Sequence, residues 1–163
     1  RAALELSAQV CVALDRHYVA SGEMQSVSKQ VEALTKHVAG DTAKSAVANS
    51  AIAKSLTDFN AKLAPLSSGE GEDSLKLGAI GGALIALQAD LEGTDREPSQ
   101  PQREVYARYS ARLDRALAAW SAVKTSDLPA LNASLHAGGL DAIKVPARAE
   151  LPVIDPGESR DIP

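Results

Sequence analysis

The chain has 163 residues, a formal net charge of −4, 45% hydrophobic residues and only 3% aromatic ones. A single domain of that length buries roughly 70% of its unfolded surface, and abundant alanine with few aromatics favours packed helices over sheets. The acidic balance and the scattered lysines and arginines exclude a nucleic-acid surface, which needs clustered cations to replace phosphate counterions.

The first pattern is the longest. Ala3, Leu6, Val10, Ala13, His17, Ala20, Met24, Val27, Val31, Leu34 and Val38 recur at three- and four-residue steps, which predicts a helix over 1–39. A helix of that length spans on the order of 54 Å. Gly40 ends it and Asp41 is placed to cap the next. The other predicted helices are much shorter. The first therefore either breaks near Ser21-Gly22, or projects its first half past the bundle toward a partner. On the second alternative, cutting residues 1–20 leaves the bundle folded.

The second helix is predicted over 42–64, with Ile52, Leu56, Phe59 and Leu63 buried and Pro65 as its stop. The acidic, glycine-rich run 66–73 is predicted to be exposed loop. Ser74 is positioned to cap a third helix over 75–92, whose stripe is Leu77, Ile80, Leu84, Leu87 and Leu91.

Ser99 and Gln102 have the spacing of a capping box and announce a fourth helix over 101–125. Tyr106, Tyr109, Leu113, Ala116, Trp120 and Val123 share one face of it. Trp120 is the only tryptophan, so this stripe is the expected centre of the core. A two-residue hinge follows, then a short helix over 127–137 folded back on the fourth, capped by Asp127 and ended by Gly138-Gly139.

Beyond Leu140, Pro146, Pro152, Pro156 and Pro163 forbid a regular helix. Val145, Leu151, Val153 and Ile154 are the expected anchors of an extended tail, laid along the bundle or captured by a neighbouring molecule. The predicted fold is all-α: an up-down-up-down four-helix bundle over 1–140, with a short fifth helix and an extended proline-containing tail over 141–163.

Chemistry is sparse. His17, His37 and His136 form no i, i+3 or i+4 pair, and neither His-Glu-x-x-His nor Glu-x-x-His occurs. His17 reads as a packed histidine on an apolar stripe, and Cys11 as a buried, inert thiol. The acidic groups Glu70, Glu72, Asp73 and Asp90, Glu92, Asp95, Glu97 lack calcium-loop spacing and read as solvated charge. Gly78 to Gly82 lacks phosphate-loop spacing and reads instead as a place where two helices approach closely. The apolar run from Leu77 to Leu87 is about half the length of a membrane span. Asn132-Ala133-Ser134 is a glycosylation sequon by spacing, but it falls inside a predicted helix. No catalytic, cofactor-binding or metal-ligating residue emerges.

Residues 111–143 carry a resemblance. The helix that ends at Trp120, the Asp127-Leu128-Pro129-Ala130-Leu131-Asn132 segment and the closing Gly139-Leu140 are similar to the C-terminal helical region of bacterial sortilin-like β-propeller proteins. The Glu97-Pro98 turn with Gln102 and Val105, and the leucine-rich third helix, follow that family's order, so the likeness covers most of 1–140. Those proteins are large, exported and glycosyl-hydrolase-like, and their ligand residues belong to a propeller that precedes the helices, so none carries over. The resemblance implies an extracytoplasmic (periplasmic or secreted) accessory module of a longer protein, and an opening Arg1 agrees with a segment cut from such a chain.

The expected function is a non-enzymatic helical structural or protein-interaction module. Its partner is an upstream domain of the same protein, another protein, or a second copy in a homodimer, with no nucleic acid and no membrane span. The alternative is a bundle that holds a small apolar ligand or cofactor in its core.

Overall fold

The computed structural model describes residues 2–40, 46–71, 73–93 and 97–151. The described residues hold no strand, and their helices pack against one another in an all-α bundle. The expected cap at Asp41, the start of the second helix, Glu72, Asp95 and the tail from Pro152 onward, with Val153 and Ile154, lie outside the described residues.

Helix α1 runs from Ala2 to Gly40 without a break at Ser21-Gly22. Helices α2 (Ala46–Ser67) and α3 (Leu77–Glu92) follow. Helix α4 (Gln100–Ala122) then passes through a π turn (Val123–Asp127) into α5 (Leu128–Ala137).

The overlong first helix is explained by what lies against it. Gln88 donates to Ser7 Oγ at 3.0 Å and His17 Nε2 to the Leu77 carbonyl at 2.8 Å, so α3 runs antiparallel to the first half of α1. Arg16 meets Asp114, and Glu23 meets Trp120 and Lys124, so α4 runs parallel to α1. Ile52 packs on Gly138, while Ser55 and Phe59 face Leu131 and Asp127, so α2 runs antiparallel to α5. Helices α2 and α3 therefore lie end to end beside α1. Their 22 and 16 residues make a rod of about 57 Å, against about 58 Å for the 39 residues of α1. The expected alternation of directions holds at the first and third connections. At the second the chain continues the same way, so α2 and α3 share one direction.

This stacking removes the projecting half-helix. Leu6, Val10, Ala13 and Ala20 are buried within the chain. Gly22 causes no kink; a β-carbon there would stand 2.9 Å from Leu151 Cδ2, so the glycine makes a notch for the tail.

Two expected helix ends move. Helix α2 continues through Pro65, because Leu66 is buried and Ser68 N donates to the Ala64 carbonyl at 2.8 Å. Core burial there outweighs the one backbone bond that proline removes. Lys76, not Ser74, occupies the N-cap of α3; Ser74 Oγ accepts from Lys76 N at 3.2 Å. Its carbonyl is held by Arg112 on α4.

The expected hinge before α5 is absent, and α5 does not fold back. Ala122, Val123, Asp127 and Leu128 all keep right-handed helical angles, and Asp127 makes no side-chain cap. Leu128 N donates to the Val123 carbonyl, five residues back. A proline ring collides with the carbonyl four residues before it, and the wider turn makes room for Pro129.

Other signals hold as read. Both halves of the Ser99–Gln102 capping box form. Helix α5 ends in a Schellman turn: Leu140 N reaches the Leu135 carbonyl at 2.9 Å, and Gly139 takes φ +68°. Leu113, Ala116, Trp120 and Val123 are buried beneath Tyr106 and Tyr109, which are partly covered.

Residues 141–151 lie along the bundle. Ile143 and Leu151 are buried and Val145 packs on the core. Asn132 exchanges two hydrogen bonds with the backbone of Ile143, at 2.8 and 3.0 Å. Gln30 does the same with Lys144. Two side-chain amides thus stand in for the neighbouring strand that an extended segment lacks.

Candidate functional site

The residues that carry chemistry are dispersed. His17 lies where α1 crosses α3, with its ring against Gly81, which confirms the reading of that segment as a close approach; Gly78 and Gly82 have open space around them. The Leu77 carbonyl can only accept, so Nε2 carries the proton, and Ser21 Oγ lies 3.1 Å from the same nitrogen. Burial lowers the pKa of His17, and the bond to Leu77 offsets this in part. His37 is in the last turn of α1 and His136 in the last turn of α5, each on an exposed face. Cys11 is exposed rather than buried, because position 11 falls outside the Leu6–Val10–Ala13 stripe.

Three of the clustered acids have partners of their own. Asp73 lies 3.6 Å from Arg115, Asp90 accepts from Gln102 at 2.6 Å, and Glu92 from Gln88 at 2.7 Å. Among the described residues no three histidines, cysteines or carboxylates come close enough to hold a metal ion.

The best-built polar centre joins α1 to α4. Glu23 Oε2 accepts from the Trp120 indole at 2.8 Å and from Lys124 Nζ at 2.6 Å, and that ammonium stands 5.7 Å from the indole centroid. It borders a cleft of about 300 Å³ whose remaining charges are also paired, Arg16 with Asp114 and Arg148 with Asp15. A satisfied, charge-balanced network of this kind fixes geometry.

A different face is unpartnered. Leu4 is 76% exposed, Val12 62% and Ile85 59%. Leu4 and Val12 are two turns apart on α1. Ile85 stands on α3 between Gln88, which meets Ser7, and Gly81, which meets His17, whereas Val12 shares the helical spacing of Arg16 and Glu23, which meet α4, so Ile85 and Val12 lie on different sides of α1. Leu4 and Val12, both on the solvent side of α1, are the candidate contact surface, and Ile85 is a separate exposed side chain. The sequence stripe locates the buried side of α1 and is silent about Leu4 and Val12, which occupy its other side.

Sequence reasoning missed Arg112 as well, the one charged side chain buried among the described residues. Its spacing of three from Tyr109, on the aromatic stripe, is the signal that marks it. No family model, no curated protein and no solved structure matches this chain. No helix among the described residues is long and apolar enough to cross a membrane.

Proposed function

We propose that this chain is a non-enzymatic helical module that works by burying an apolar helix face against a partner protein. The exposed pair Leu4 and Val12, on the solvent side of α1, carries the reading. Covering one such side chain contributes roughly 1.5–3 kcal/mol, and a rigid helix presents both without an ordering cost at the moment of contact. The paired charges around Glu23 support a structural use of the polar groups rather than a chemical one.

The partner is the remainder of a longer exported protein in which this bundle is an accessory domain, or a separate protein or second copy that uses the same face. The extracytoplasmic placement rests on the resemblance of residues 97–143 to sortilin-like propeller proteins.

Light scattering of the chain, alone and with its flanking region, tests the reading. The variant with Leu4→Glu and Val12→Glu is expected to keep its melting temperature and lose association. Association that survives the two charges would refute it.

A further inference from the structure

Arg108 and Arg112, one turn apart on α4, converge on the ring of Tyr109, with their guanidinium carbons 5.2 and 5.0 Å from its centroid. Arg112 is only 6% exposed, yet its Nε and Nη2 both donate to a single neutral acceptor, the Ser74 carbonyl. Neither arginine has a carboxylate within ion-pair distance among the described residues; one acid of the adjoining loop, Asp73, is turned to Arg115. Among the described residues the buried guanidinium faces one carbonyl and one ring, so it has lost its water without gaining a counter-charge from them.

The two arginines, Tyr109 and Gly71 line a cleft of about 260 Å³. Through Arg108 and Tyr109 it adjoins a second cleft, of about 490 Å³, between α3 and α4, walled by Ala83, Ala86, Leu87 and Val105. Together they reach the size of a small-molecule site, with an apolar lining and a few polar groups gathered at one end. The far end is closed by Asp90, which Gln102 holds at 2.6 Å. Because residue 90 meets residue 102, residues 83–87 stand opposite 105–109, and this apolar strip is about 6 Å long.

The polarity fixes an orientation: an acid at one end repels an anionic head, and two arginines at the other attract it. We propose that the α3–α4 cleft binds a small amphipathic carboxylate, its head between Arg108 and Arg112 and its short chain along Ala83, Leu87 and Val105. The guanidinium fork accepts a carboxylate or a phosphate head equally well, so the apolar strip is what selects an amphipathic molecule over a free ion. This site is separate from the Leu4 and Val12 side of α1 and stands whether or not that side docks a protein.

Calorimetric titration of the whole chain with octanoate tests the proposal, with 1-octanol and inorganic phosphate as comparators. Octanoate is expected to bind at least about tenfold more tightly than either, since loss of head or chain removes at least one ~1.4 kcal/mol step. Arg108→Gln alters an exposed side chain and is expected to weaken octanoate roughly fivefold or more. Ala86→Phe, also at an exposed position, fills the cleft from its rim and is expected to abolish binding, with the melting temperature unchanged in both variants. Octanol binding as tightly as octanoate would remove the arginines from the site. Phosphate binding as tightly would remove the strip, and no binding of octanoate at all would overturn the proposal outright.

Discussion

The imidazole of His17 occupies the space that a β-carbon on Gly81 needs. The same ring donates to the Leu77 carbonyl at 2.8 Å, so one side chain sets both the spacing of α1 from α3 and the entry into α3. Gly81→Ala forces a methyl into that ring. Overpacking costs about 1–3 kcal/mol and alanine recovers about 1 kcal/mol of helix propensity, so a net loss of up to about 2 kcal/mol is expected. In a His17→Ala background the same change becomes neutral or stabilising. Urea unfolding of the four proteins measures the coupling, and additive energies would show that the two positions do not compete for one volume.

The buried histidine also predicts how stability depends on pH. Its pKa in the folded chain lies below the ordinary value of 6.5, chiefly through desolvation. Between the two values the unfolded chain binds the extra proton and the folded one does not. Stability is therefore complete above the unfolded value, falls as pH drops below it, and levels off below the folded value. His17→Gln keeps a donor for Leu77 but does not titrate. On acidification from roughly pH 7.5 to 5, the parent chain is expected to lose more stability than this variant. Equal losses would remove His17 as the source.

Trp120 joins the core to the Glu23–Lys124 pair, and two substitutions separate those contributions. Trp120→Ala removes buried ring and hydrogen bond together and is expected to cost about 3–5 kcal/mol. Trp120→Phe keeps most of the apolar volume and loses the indole donor, for an expected cost of about 1–2 kcal/mol, since Lys124 still satisfies Glu23. Denaturant midpoints decide this, and a small effect of the alanine change would displace Trp120 from the core's centre.

What the sequence reveals follows how local each signal is. Among the described side chains the stripes of all four long helices face the core as their spacing predicts, buried or partly covered, and the Ser99–Gln102 box and the Gly138-Gly139 ending form as read, because each rests on residues within a turn or two. Errors arise where a distant element decides. Pro65 fails to stop α2 because Leu66 has a core to enter, and Gly22 fails to kink α1 because Leu151 fills its notch. The hinge before α5 is misread because proline can sit in a widened turn as well as after a break. Ile143 is absent from the expected anchors of the tail, since the amides that hold its segment, Asn132 and Gln30, come from two different helices. Arg112, the buried cation of the α3–α4 cleft, is a charged residue flanking an aromatic stripe, and its burial depends on where the Ser74 loop lies.

The paired lengths of the rods yield a final prediction, opposite to the one that a projecting first half-helix suggests. The first half of α1, with Leu6, Val10, Ala13 and Ala20 buried, runs along α3, whose Leu77, Ile80 and Leu84 are buried in the same core. Leu6 and Val10 alone contribute roughly 3–6 kcal/mol by burial, and their removal exposes the α3 residues beneath them as well. Whole domains have only about 5–15 kcal/mol of net stability. Deleting residues 1–20 is therefore expected to unfold α3 at least, with a loss of far-ultraviolet helicity greater than the deleted residues account for. Limited proteolysis should then find new cuts between residues 77 and 92. A truncated chain that retains the parent's melting temperature and protects α3 would show that the first half of α1 is an appendage after all.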